Sequence, residues 1–238
     1  MTIDQPIDEM KVARSTVRNQ AVEKLRSAII AGDLRPGQRL IEKDLCDRIG
    51  VSRTSIREAL RLLEGEKLIH APPHKGPCVA VISAEEAKQI YEVRAVLERL
   101  AGSRAAQYAT KEDIARLKDA VDAFARAVAQ RELTRLVALA NEFYAILLAA
   151  SRSHVAMDIL KSLNARISFL RATSMSAPGR APHSLVEMRV IAKAIERGDP
   201  RAAGAACARH VELAARAGLR QLARQATDAG VSVRIQQS

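Results

Sequence analysis

The sequence predicts a mainly α protein in two parts. The first is an N-terminal winged helix-turn-helix, three helices plus a small β-hairpin wing; the second is a C-terminal antiparallel all-α bundle of about six helices. Three observations predict this. Gly50-Val51-Ser52-Arg53-Thr54-Ser55-Ile56-Arg57 reads as the end of one helix and the capped start of another. Residues 68–82 place two short apolar runs on either side of a Pro/Gly/basic tip. Beyond Ser83, apolar positions recur at helical spacing and no convincing strand pattern interrupts them.

Each element has its own signal. Residues 1–14 mix polar, acidic and basic groups without the apolar core of a signal peptide, and are expected to form a mobile arm before a winged-helix domain over 15–82. Val22, Leu25, Ala28 and Ile29 make an apolar stripe ending at Gly32, so Val17–Ala31 is a first helix. Leu34-Arg35-Pro36-Gly37 is a turn, and Glu42–Ile49 a short second helix with Leu45 and Ile49 inward. Gly50 suits the left-handed residue that ends it, and Ser52 can accept a bond from a free N–H of the next first turn. In that third helix, Ser52–Gly65, Ile56, Leu60 and Leu63 share a buried face while Arg53, Arg57 and Arg61 share another. Such a helix suits a major groove, with one side packed and guanidinium groups on the other. Ser52 and Thr54 are placed to touch phosphate as well. The wing tip, His74-Lys75-Gly76, can enter a minor groove or follow phosphates. Arg35 is expected at most to line the backbone.

Further along, Ser83 with Glu86 has capping-box spacing and opens a domain over 83–228. Its expected helices are Ala84–Tyr108 (Ile90, Val93, Leu97 and Leu100 on one face), Lys111–Gln130, Leu133–Ala150, His154–Ala172, Leu185–Arg197 and Arg201–Ala226. Ser174–His183 holds two Pro and one Gly and is read as a loop, and residues 229–238 as a frayed tail.

Charge bounds the function loosely. The chain of 238 residues carries a formal net charge of +11. Residues 1–82 hold 14 Lys and Arg against 11 Asp and Glu, and the remainder 24 against 16, so the case for DNA rests on where the arginines stand. Three dispersed cysteines read as reduced thiols of a cytoplasmic protein. No apolar run approaches the roughly 18 residues of a membrane span, so no membrane partner is expected. There is no Gly-rich phosphate loop, CxxC or HExxH, and the chain is not read as an enzyme. The alternative is an enzyme or ligand carrier built on the bundle, with the winged helix as a protein-interaction module.

The run Ile30-Ala31-Gly32-Asp33-Leu34-Arg35-Pro36-Gly37, then Gly50-Val51-Ser52-Arg53-Thr54 and Arg57-Glu58-Ala59-Leu60, resembles the N-terminal domain of GntR-type transcriptional regulators. Ser55 departs from the Pro usual there. Residues 84–226 resemble the FCD effector domain of the FadR-like branch, through Tyr91-Glu92-Val93-Arg94-Ala95-Val96-Leu97-Glu98, Glu142-Phe143, Ala194-Ile195-Glu196-Arg197-Gly198-Asp199 and His210. The resemblance implies a homodimeric regulator, a repressor by preference, that reads an inverted-repeat operator in double-stranded DNA. It also implies a small-molecule effector in the bundle, a carboxylate for preference, and a basic contact to DNA at Lys43.

Many FCD domains hold a divalent metal with an acidic residue or Asn, and three His. At the matching positions this sequence has Ala140, Tyr144, Met188 and His210, so the resemblance here implies a degraded metal site and no cofactor. Asn141 lies about a hundred degrees round the helix from Ala140. His183, in the expected loop, is the one further imidazole that could swing in. Arg94, Tyr144, Met188 and His210 become candidate lining of an organic-ligand pocket. Arg94 could grip a carboxylate or make a surface or interdomain salt bridge. Tyr144 and His210 could equally be ordinary core residues.

Overall fold

A computed structural model describes residues 12–72 and 76–228. The chain divides between Val81 and Ile82 into two compact units. The first holds α1 (Val12–Ala31), α2 (Glu42–Ile49), α3 (Arg53–Gly65), β1 (Ile69–His70) and β2 (Cys78–Val79). Helix α1 takes in Val12–Arg14, part of the segment expected as an arm; residues 1–11 and 229–238 lie outside the described residues. Ile56, Ala59, Leu60 and Leu63 of α3 are buried with Leu25 and Ile29 of α1. Each large side chain so buried contributes about 1.5–3 kcal/mol. Arg26 of α1 reaches Glu66, just past the end of α3, through Nε at 3.1 Å. The strands pair antiparallel with Ile69 opposite Val79, and Arg39 adds an isolated bridge to Cys78. The hairpin is thus shorter than the two apolar runs suggested.

The second unit holds seven helices among the described residues: α4 (Ala84–Tyr108), α5 (Lys111–Gln130), α6 (Leu133–Ala150), α7 (His154–Ser162), α8 (Asn164–Met175), α9 (Arg180–Glu196) and α10 (Pro200–Asp228). The helix expected over His154–Ala172 is broken at Leu163. Ser162 Oγ donates to the Ile159 carbonyl beside the break, a local bond that competes with the helical ladder. The segment read as a loop, Ser174–His183, is mostly helical. Helix α8 runs on to Met175, and Gly179 (φ 75°) precedes α9. Pro182 falls in the first turn of α9, where its missing N–H has no intrahelical acceptor to lose. Ser83 caps α4 by accepting from Glu86 N–H at 3.0 Å, but the Glu86 carboxylate pairs with Arg166, so the box stays half closed.

The buried face of α4 also differs from expectation. Val93 and Leu100 are exposed, with Val96 between them, while Tyr91, Arg94, Glu98, Ala101 and Gly102 are buried. The reason is a seam against α10 made by small residues. A Cβ on Gly102 would stand 2.5 Å from Cys207 Sγ, and one on Gly204 would stand 3.0 Å from the Arg99 carbonyl. Close backbone approach outweighs burial of the larger aliphatics on the neighbouring face. Helix α6 is long and apolar enough to cross a membrane, which the sequence reading overlooked. In the fold it packs against α4, α5 and α8, with Phe143 and Leu147 fully buried.

Candidate functional site

Two places gather the residues singled out above. In the first unit, Gly50 ends α2 in the left-handed region (φ 78°, ψ 36°), and Ser52 Oγ accepts the Ser55 N–H at 3.2 Å to start α3. This turn sets the first turns of α3 beside the start of α2. Ser52, Arg53, Thr54 and Arg57 are exposed there, and Lys43 is exposed on α2. Arg57 Nε donates to both oxygens of Glu42, at 3.0 and 2.8 Å, with the two side chains 63% and 31% exposed. That bond uses Nε alone and leaves both Nη groups for another acceptor. Gly76 has φ 73°, and a Cβ there would lie 3.8 Å from the Arg39 guanidinium. Arg39 therefore adds a cation at the wing base that sequence reading passed over. His74 and Lys75 lie outside the described residues.

In the second unit Arg94 is no surface group. It is fully buried and donates through Nε to Glu98 Oε1 at 2.9 Å. Its Nη1 and Nη2, Glu98 Oε2 and the Tyr144 hydroxyl are buried without a hydrogen-bond partner. Arg171 of α8 completes the cluster: Nη1 donates to Asn141 Oδ1, Nη2 stands 4.0 Å from Glu98, and the guanidinium carbon lies 4.5 Å from the Tyr144 ring centre. Asn141 Nδ2 in turn donates to Ser168 Oγ at 2.9 Å.

Burial and the positive charge of Arg94 pull the Arg171 guanidinium down to about 10, despite Glu98. Burial also opposes charge on Arg94, yet Glu98 and the neighbouring phenols hold that group above its usual value. The Tyr144 phenol is pushed well up, by burial first and then by Glu98.

A cavity of about 340 Å³ opens beside this cluster, lined by Tyr144, Asn141, Glu98 and Arg171 with apolar walls from α6, α7 and α8. Of the four pocket residues expected from sequence, Tyr144 alone lines it. Arg94 sits in the layer of charge adjoining Glu98. Met188 is fully buried on α9. His210 is buried on α10, its ring 5.7 Å from that of Tyr144, and its Nδ1 is 2.7 Å from Glu187 Oε2. Glu187 is gripped from the other side by both Nη groups of Arg180, at 2.9 and 2.7 Å. Burial, followed by the Arg180 charge, keeps His210 below its ordinary value although Glu187 pulls upward. Burial alone would raise Glu187, but bonds from His210 and Arg180 outweigh it and hold the carboxyl low.

Among the described residues no three His, Cys, Asp or Glu converge as metal ligands. Ala140 is buried and offers no donor, and His183 is exposed on α9 and not in a loop. Sequence reading missed Glu98, Arg171, Arg180 and Glu187 as members of this site. The available signal was Arg94–Glu98 at i, i+4 on a buried face, and Arg171 following the apolar Ile167–Leu170 run.

Comparison with known proteins bears on both places. Residues 17–79 match the family described as bacterial regulatory proteins, gntR family, and residues 89–213 match the FCD domain. The chain is 29% identical over 199 residues to the HTH-type transcriptional regulator YdhC of Bacillus subtilis, spanning 83% of this chain and 89% of that protein. It is 26% identical over 196 residues to the HTH-type transcriptional repressor RspR of Escherichia coli, spanning 82% and 86%. Its fold is similar to that of McbR/YncC of Escherichia coli, with a TM-score of 0.74 at 20% identity over 88% of this chain and 98% of that one.

Proposed function

Because the chain belongs to the gntR family of bacterial regulatory proteins, with an FCD domain as its second half, we propose that it is a homodimeric repressor switched by a small organic anion. It is a DNA-binding transcriptional regulator with a C-terminal effector-binding domain, in a family of regulators and not of enzymes. The observation that carries the reading is α3 itself: a capped helix packed on one face, with Arg53 and Arg57 exposed at its start. One such head reads few base pairs, so two heads on an inverted repeat give the selectivity. The exposed row Val93, Val96 and Leu100 on α4, at i, i+3 and i+7, is the surface we assign to the partner protomer. The repressor sense follows the description of RspR. A cytoplasmic location fits a regulator of genes with reduced thiols.

The family metal does not fit these residues. Ala140, Tyr144, Met188 and His210 supply one imidazole, and its Nδ1 is already engaged by Glu187. Arg180 is matched by Glu187, but Arg94 and Arg171 face Glu98 alone, and that excess of positive charge repels a cation and suits an anion.

Selection from a pool of randomised duplexes tests the DNA half. The full chain should enrich an inverted repeat. Arg57→Ala should then weaken binding to the selected duplex by roughly 1–3 kcal/mol and leave a scrambled duplex nearly unaffected. Equal losses on both would remove Arg57 from base reading. Sedimentation of the full chain at micromolar concentration should give a dimer, and Val96→Glu a monomer.

A further inference from the structure

We propose that Arg171 takes the place of the missing metal: its guanidinium receives the headgroup of a monocarboxylate with a short apolar body, bound in the cavity between α6, α7 and α8. This deepens the reading of the second half as an effector domain and rests on it. It differs from the sequence expectation, in which Arg94 was the candidate carboxylate anchor, with a salt bridge as the alternative.

Charge makes the first case. Two buried guanidinium groups, Arg94 and Arg171, share one buried carboxylate, Glu98. Arg94 uses only Nε on it, and Arg171 stands at 4.0 Å, beyond a hydrogen bond. One positive charge is therefore left over among buried side chains, and buried charge persists at a large free-energy cost unless matched. The rim of the cavity does not supply the balance, because Lys161 and Glu142 both line it and offset each other.

Unpaired polar atoms make the second case. Tyr144 lines this cavity, and its hydroxyl is buried without a partner. Buried polar groups rarely stay so unless something fills the place. A carboxylate bound at Arg171 would offer that hydroxyl an acceptor. Asn141 holds Arg171 in position by accepting from Nη1 while tied to Ser168. Glu98 lies alongside and disfavours a second negative charge, which selects a monoanion over a diacid.

Shape supplies the remainder. Leu148, Leu160 and Ile167 give the cavity an apolar wall, and about 340 Å³ lies at the small end of ligand pockets. A guanidinium needs no metal to grip a carboxylate, because its fork matches both oxygens.

The test uses the full chain and thermal melts with butanoate, hexanoate and octanoate, each beside its neutral amide, with and without EDTA. At about a hundred times its Kd, at least one acid should raise Tm by roughly 5–10 °C. Its amide should not, and EDTA should change nothing. Arg171→Gln should abolish the shift, and Arg171→Lys should weaken it by losing the fork. Tyr144→Phe should weaken acid binding roughly threefold to tenfold, which keeps the test decisive if Arg171→Gln does not fold. The proposal is overturned if acids act no better than amides, if the shift needs a divalent ion, or if it survives undiminished in Arg171→Gln. If the unaltered chain binds its duplex and no acid acts, the Arg171 assignment alone falls; if it binds no duplex, the regulator reading falls with it.

Discussion

The two halves of the molecule each set an arginine against a glutamate, and the resemblance ends there. Arg57 and Glu42 meet at the surface, with the guanidinium side chain 63% exposed. Arg94 and Glu98 meet where both side chains are at most 2% exposed. Water screens the first pair, so it is cheap to break, and it leaves both Nη groups of Arg57 for another acceptor. The second is buried, and removing either member strands a charge. Identical chemistry thus makes a yielding surface contact in the head and fixed polarity in the bundle.

The comparison is broken most directly at Glu98. Glu98→Ala should cost about 3–5 kcal/mol in urea unfolding, because Arg94 and Arg171 then share no counterion. A loss under about 1 kcal/mol would mean the cluster is wet and the contrast unreal. The double change Arg94→Met, Glu98→Leu should recover most of it. The seam between α4 and α10 comes next. Gly102→Ala should cost roughly 1–3 kcal/mol, since the new methyl meets Cys207 Sγ at 2.5 Å and the Ala203 carbonyl at 2.9 Å.

In the head, Glu42→Ala should change unfolding by no more than about 1 kcal/mol. It should weaken binding of the selected duplex, as Arg57 loses its brace, while a scrambled duplex binds as well or better.

The smallest effect concerns pH. Folded His210 and Glu187 both hold protons less tightly than the unfolded chain. The unfolded state therefore binds more protons as pH falls, and stability declines with it. The His210 share is complete above its ordinary value of 6.5 and is lost as pH drops from there through the lowered folded value. A Tm series should slope downward in that range, and His210→Gln should flatten its upper part. An unchanged slope would take His210 out of the buried pair.

The head was legible because its signals are local and sit at fixed offsets. Gly50 needed a positive φ, Ser52 needed a free N–H, and both found them within five residues. The bundle gave up its helices but not its faces. Val93 and Leu100 look like core on hydrophobicity alone, and only packing against Gly204 and Cys207 of a distant helix turns α4 the other way. Pro178, Gly179 and Pro182 suggested a long loop, because a proline in a first helical turn looks the same in sequence as one in a coil. The buried charge cluster was hidden for a related reason. Arg94, Glu98 and Arg171 have the composition of a solvated face, and their burial depends on helices far apart in sequence. Tyr144 and His210 were found by position, but their partners Arg171 and Glu187 carried no motif.

The glycine seam also sets a clock. Cys207 lies wholly inside it, its thiol pushed above the usual range by burial and by Glu98, so almost none is the reactive thiolate. Cys46 and Cys78 are part-exposed by comparison. An alkylating reagent would therefore label those two promptly and reach the third only when α4 and α10 separate. The lag before the last label measures how often the longest helices of the bundle come apart, and a ligand that quiets that breathing lengthens it. The native sequence thus provides a time-resolved reporter of its own interior without any engineered probe.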